Sequence, residues 1–264
     1  MTMQRARHAR RGASHRPVVV VAIVLATLVV AAAGLWRNGA FRASSNVDRP
    51  APGRGLPSRS GAPTLEASPT GEPTPVPRSG PVRFVYAPGQ GATGGTAGPL
   101  RRYRVAVESG IGEDAATFAA AVDAVLADPR GWTASGQLRL QRVPKSAAAD
   151  FTIFLATPSA SEAMCATAGL HTHRYTSCRL PGQVIINLDR WRDAVLNYGA
   201  PAEVYRAYAL NHEVGHELGH GHEACPGVGR PAPVMQQQTY ALKGCLPNGW
   251  PYIDGQRYSG PPVP

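Results

Sequence analysis

The chain has 264 residues, of which 25 are Pro and 29 Gly, and it carries a formal net charge of +10. That length fits one or two domains, and the uneven spread of Pro and Gly makes the folded part shorter than the chain. The positive residues are nearly all Arg, many of them near the N-terminus, and no basic stripe with interleaved aromatics follows. The composition therefore argues against a nucleic-acid partner.

Residues 1–17 form a basic tip with Arg5, Arg7, Arg10, Arg11 and Arg16. An uncharged apolar run follows from Val18 to Leu35, with Trp36 at the interface position. The run approaches the ~20 residues that span a bilayer and exceeds the ~7–15 of a signal-peptide core, so residues 18–36 are predicted to be a transmembrane signal-anchor. Positive charge before the span predicts a cytoplasmic tip and a C-terminal domain outside the cytoplasm. Ala31-Ala32-Ala33 also offers a small-residue cleavage site, so secretion after signal-peptide cleavage is the alternative. Residues 37–80 are rich in Pro, Gly, Ser and Arg with few large apolar side chains, which predicts a disordered linker. Stretched at ~3.1 Å per residue, it reaches on the order of 100 Å from the membrane.

The folded domain is predicted over 81–264. Val82–Ala87 and Tyr103–Glu108 read as strands, with a Gly/Thr loop at Gln90–Gly98 that lacks the Gly-Lys-Ser/Thr ending of a phosphate loop. Glu113–Ala127 is a helix with Phe118, Val122, Val125 and Leu126 on its apolar face, ended by Pro129 and Gly131. Leu138–Val143, Phe151–Ala156 and Gln183–Leu188 read as strands, and Ser159–Ala168 as a short helix. Pro201 opens a long helix. This order predicts a mixed α+β layer domain. Four cysteines, Cys165, Cys178, Cys225 and Cys245, all follow the span, and an even count in an exported domain predicts two disulfides. Sequence neighbours pair most simply as Cys165 with Cys178 and Cys225 with Cys245, one of three possible connectivities. Cys165, His171, His173 and Cys178 also compose a candidate second zinc site, set against a disulfide-closed loop. Glu162, Asp150, Asp189 and Asp193 form no paired-carboxylate signature, so a glycosidase reading has no support.

The segment Asn211-His212-Glu213-Val214-Gly215-His216-Glu217-Leu218-Gly219-His220-Gly221-His222 carries the chemistry. His212 and His216 are one helical turn apart, so both imidazoles leave one face and can meet one metal. Ala207, Leu210, Val214 and Leu218 lie on the opposite side and face the core. Gly219 can leave the right-handed helix without steric cost, which lets the chain bring His222 back as a third ligand. Three neutral histidines leave one coordination position open, the pattern of catalytic rather than structural zinc, with Glu213 beside it as general base. His220 reads as a solvent-facing group or as a support for the ligands.

The run from His212 to His222 resembles the metzincin zinc signature, HExxHxxGxxH, and Pro233-Val234-Met235 lies where the methionine turn of that family follows. Tyr205-Arg206-Ala207-Tyr208 and Gly227–Thr239 resemble an exported actinobacterial family with a metzincin-like domain of unassigned function. The resemblance implies a mixed sheet, a backing helix and an active-site helix in an upper subdomain, and a smaller lower part carrying Met235. Two positions after Met235, where some metzincins have tyrosine, this chain has Gln237, and Tyr240 comes later. Glu223 follows the third histidine, as in the astacin branch.

These residues lead to the expectation of a membrane-anchored, extracytoplasmic zinc-dependent peptidase in which Glu213 activates a zinc-bound water. Its substrate would be a peptide or protein, with the cell envelope as the expected source, aligned by strand addition on an edge near Val184–Asn187. An amidase acting on peptidoglycan peptides and a catalytically inactive, zinc-stabilised binding module are the alternatives.

Overall fold

The computed structural model describes residues 81–263. The expected membrane span at 18–35 and the linker at 37–80 lie outside them. No helix among the described residues is long and apolar enough to cross a membrane.

These residues fold as a mixed α+β unit. In chain order the elements are β1 (Phe84–Tyr86), β2 (Thr93–Gly94), β3 (Leu100–Glu108), α1 (Ala115–Ala127), β4 (Arg139–Arg142), β5 (Phe151–Ala156), α2 (Pro158–Ala166), β6 (Cys178–Leu180), β7 (Gln183–Asn187), α3 (Leu188–Asp193), α4 (Ala202–Glu217), β8 (Tyr252–Ile253) and β9 (Gln256–Arg257). A 3-10 turn, Trp132–Ser135, precedes β4. The sheet runs β2-β4-β3-β5-β7-β6, and β1 pairs with the second half of β3. The β4, β3, β5 and β7 strands are parallel, while β1, β2 and β6 join antiparallel. Parallel neighbours need crossovers over the faces of the sheet, and α1 and α2 lie in those crossovers.

Alternation along the strands sends side chains to two different covers. Phe151, Ile153 and Leu155 of β5 and Val184 and Ile186 of β7 join Phe118, Val122 and Leu126 of α1 and Tyr205, Tyr208, Leu210 and Val214 of α4. Ala156 and Ile185 face the other way, against Ala160 and Cys165 of α2, with Phe154 and Phe84 packed alongside. Burial on both faces is why β5 and β7 read as continuous apolar runs. The α1 helix begins where the Asp114 carboxylate accepts the Thr117 N–H at 2.7 Å, which satisfies one of the free donors of its first turn.

One expectation fails here. The strand at Gln183–Asn187 is not an edge: it lies between β5 and β6, and Val184, Ile185 and Ile186 are fully buried. A strand apolar on both faces belongs in the interior of a sheet. The free edge on this side is β6, whose sequence Cys178-Arg179-Leu180 carries a charge at its centre.

Candidate metal centre

The α4 helix presents two faces. Ala207, Leu210 and Val214 are buried in the core, with Leu218 partly buried beside them, and His212 and His216 look into a cleft of about 400 Å³. The helix ends at Glu217. Gly219 then takes φ +95°, a left-handed conformation that only glycine adopts without strain, and the His220 N–H donates back to the Gly215 carbonyl at 2.9 Å. The turn carries His222 to the same point as the two helical histidines. His216 Nε2 stands 3.2 Å from His212 Nε2 and 3.2 Å from His222 Nε2. Among the described residues these three form the one group of ligating side chains close enough to share an ion.

The donor set fits a metal. The Nδ1–H of His212 donates to the Val234 carbonyl at 2.9 Å, and that of His216 to the His220 carbonyl at 2.8 Å. A carbonyl can only accept, so each neutral ring keeps its Nε2 lone pair for the centre. Nitrogens on a tetrahedral ion at about 2.0–2.1 Å stand about 3.3–3.4 Å apart, close to the spacing seen here. Burial, reinforced by His216, pushes His212 down to about 3, and burial lowers His216 and His222 as well, so all three favour the ligating form.

Glu213 is buried, lines the same cleft and lies outside the ligand group. Burial alone raises its carboxyl to about 8, and no cation is paired with it among the described residues. Met235 occupies the turn closed by the Gln236 N–H on the Pro233 carbonyl and is fully buried. Its sulfur lies directly beneath α4: a Cβ built on Gly215 would come 2.4 Å from Met235 Sδ and 2.7 Å from Trp132 Cζ2. Among the described residues Glu223 is not one of the ligands. Its carboxylate accepts from Arg257 at 2.8 Å and its N–H donates to the Met235 carbonyl at 3.1 Å. Gln237 and Tyr240 line the cleft.

Both disulfides follow the neighbour pairing, Cys165–Cys178 and Cys225–Cys245. With its two sulfurs bonded to each other, the candidate second site of Cys165, His171, His173 and Cys178 does not assemble, and His171 lines the cleft instead. The sequence reading overlooked four supports. Glu217, 5 % exposed at its side chain, pairs with Arg179 of β6 at 2.7 Å and with Arg101 of β3 at 3.5 Å, which ties the end of α4 to the sheet edge. Trp132 donates its indole N–H to the Asn211 carbonyl at 2.9 Å and stacks on His220 at 4.3 Å. Arg257 and Gly215 complete the set. Of these, only Gly215 had a local signal, because a glycine inside a helix is unfavourable unless something approaches closely.

A family model described as "Protein of unknown function (DUF3152)" matches residues 69–252. Comparison with curated proteins and with solved structures found no match.

Proposed function

The chain belongs to the DUF3152 family, and we propose that it is a zinc-dependent peptidase of the metzincin type, held at the membrane with its catalytic domain outside the cytoplasm. The observation that carries this reading is the pairing of two features in one cleft: three converging histidine nitrogens, that of His216 3.2 Å from each of the other two, and a buried glutamate beside them that is not one of the ligands. A structural metal site is closed by four protein ligands, whereas three leave a position for chemistry. The HExxHxxGxxH spacing of His212, Glu213, His216, Gly219 and His222 supports the metzincin assignment.

Zinc bound there would supply Lewis acidity toward a peptide carbonyl and toward water. His212 and His216 hold their rings in place through their Nδ1–H bonds to Val234 and His220. Glu213 takes a proton from water on its carboxylate and returns it to the leaving amine. The β6 edge, with Arg179 anchored by Glu217, offers free backbone groups along the cleft for an extended peptide to pair with. Two disulfides and a basic leader before an apolar run support an exported location.

The test is digestion of a diverse peptide library by the purified full-length chain, read by mass spectrometry, beside Glu213→Gln. The wild type should cleave. The variant should keep its zinc and melting temperature and lose about 10²–10⁴ in rate. Equal cleavage by both would remove Glu213 from the mechanism. Zinc in both with cleavage by neither would replace the peptidase with a binding module.

A further inference from the structure

His222 lies in no helix or strand, so something else must fix its position. The segment 222–224 is held on two sides. Toward the methionine turn, the Glu223 N–H donates to Met235 O. On the other side runs the segment 260–263: the Val263 N–H donates to the His222 carbonyl at 3.0 Å, and the Ala224 N–H donates to the Pro261 carbonyl at 2.7 Å. Pro262 lies opposite Glu223 in this short antiparallel pairing. The contact at Gly260 is close, since a Cβ there would lie 2.0 Å from the Ala224 carbonyl oxygen. Side chains add to it. The Glu223 carboxylate accepts from Arg257 at 2.8 Å and from the Gly260 N–H at 3.3 Å.

Arg257 also reaches the other end of the turn. Its guanidinium lies over the Trp132 ring at 5.1 Å, and Trp132 stacks on His220. The turn from Gly219 to Glu223 is therefore gripped at His220 through Trp132 and at Glu223 directly, and Arg257 is common to both. Pro261 and Pro262 have no N–H, and the two backbone donors that flank them, Gly260 and Val263, both point toward the ligand segment. The strap lies beyond the stretch matched by the family model, which ends at 252.

We propose that residues 257–263 are a positioning strap for the metal: Arg257 and the backbone of 260–263 hold His222 where the two helical histidines can share an ion with it. His212 and His216 stand on α4 with their rings oriented by the Val234 and His220 carbonyls, whereas His222 stands outside any helix or strand, so the strap decides whether it joins them as the third nitrogen. The proposal rests on the metal centre described above and not on peptidase activity.

The test uses the full-length chain with zinc and, separately, cobalt(II), whose visible bands report ligand number and geometry. The variants are Arg257→Ala, Gly260→Val and a stop after Gly255, with His216→Ala as the reference for direct ligand loss. Arg257→Ala and Gly260→Val should weaken zinc affinity about 10–100-fold, as loss of supports behind a ligand does. The metal-free melting temperature should stay close to wild type for Arg257→Ala and fall for Gly260→Val, whose side chain meets the Ala224 backbone, and the cobalt bands of both should weaken toward those of His216→Ala. Arg257→Lys should recover part of the affinity. Should the truncated chain fail to fold, the two point variants carry the result. Wild-type affinity and an unchanged cobalt spectrum in both point variants would overturn the strap and leave the metal centre standing. A wild-type chain that binds neither ion would overturn both.

Discussion

At Gly215 a hydrogen in place of a methyl lets Met235 and Trp132 close on the helix that carries His212 and His216. Gly215→Ala sets two effects against each other. The helix gains about 1 kcal/mol of intrinsic propensity, while overpacking removes about 1–3. The methionine sulfur can swing away, but the Trp132 ring, pinned by its bond to Asn211, cannot. The balance should be a lower melting temperature, equivalent to a net loss of up to about 2 kcal/mol, and calorimetry on the purified variant reads it directly. Glu213 gives a pH dependence with a definite sign. Burial raises its carboxyl to about 8, so the metal-free folded state keeps a proton that the unfolded chain has released above its ordinary value near 4.5. Stability from this group is present at low pH and is lost as pH rises toward 8. His212, depressed to about 3, acts in the opposite sense, but only below its ordinary value near 6.5. Between pH 6.5 and 8 the metal-free melting temperature should therefore fall as pH rises, with Glu213→Gln showing a flatter slope. Parallel slopes for the two proteins would contradict the burial of that carboxylate.

Among the elements, those with a strong internal period were legible in the sequence and those defined by distant partners were not. The α1 and α4 helices repeat apolar residues at helical spacing, and β5 and β7 are apolar runs bounded by polar residues. The order of strands was not legible: β7 reads equally well at an edge or inside, until β6 covers it. β6 itself has three residues with an arginine in the middle, and α3 has six under an Asn187 cap, both too short to establish a period. The ligands were legible because their spacing is local. Their supports lie far off in sequence, with Trp132 bonded to Asn211 across 79 residues and Arg257 to Glu223 across 34. The loop closed by Cys225–Cys245 carries Val234, which orients His212, and Met235, which underlies Gly215. Closing a loop of this size stabilises by roughly 3 kcal/mol in the chain-entropy model. Reduction should release zinc at a temperature below that of global unfolding. Free thiols at both positions in non-reducing mass spectrometry would remove the basis for this.

For the whole molecule, the charge is divided unevenly. The residues after 80 hold nearly as many acids as bases, and the excess of arginine lies before them. With the apolar run at 18–35, this predicts a chain that sediments with membranes and resists alkaline extraction, its C-terminal part open to protease from outside. A soluble mature protein beginning near Gly34 would instead establish cleavage. One indole meets several separate parts of the fold. Trp132 bonds α4, lies against Gly215, stacks on His220 in the turn before the third ligand, and sits under Arg257 of the strap. Any shift of that turn alters the ring's polar surroundings, and an excited indole responds to such a change in both colour and brightness. Filling the candidate metal centre should therefore change the ultraviolet emission of the protein, and adding zinc and then a chelator reads that change with no added dye.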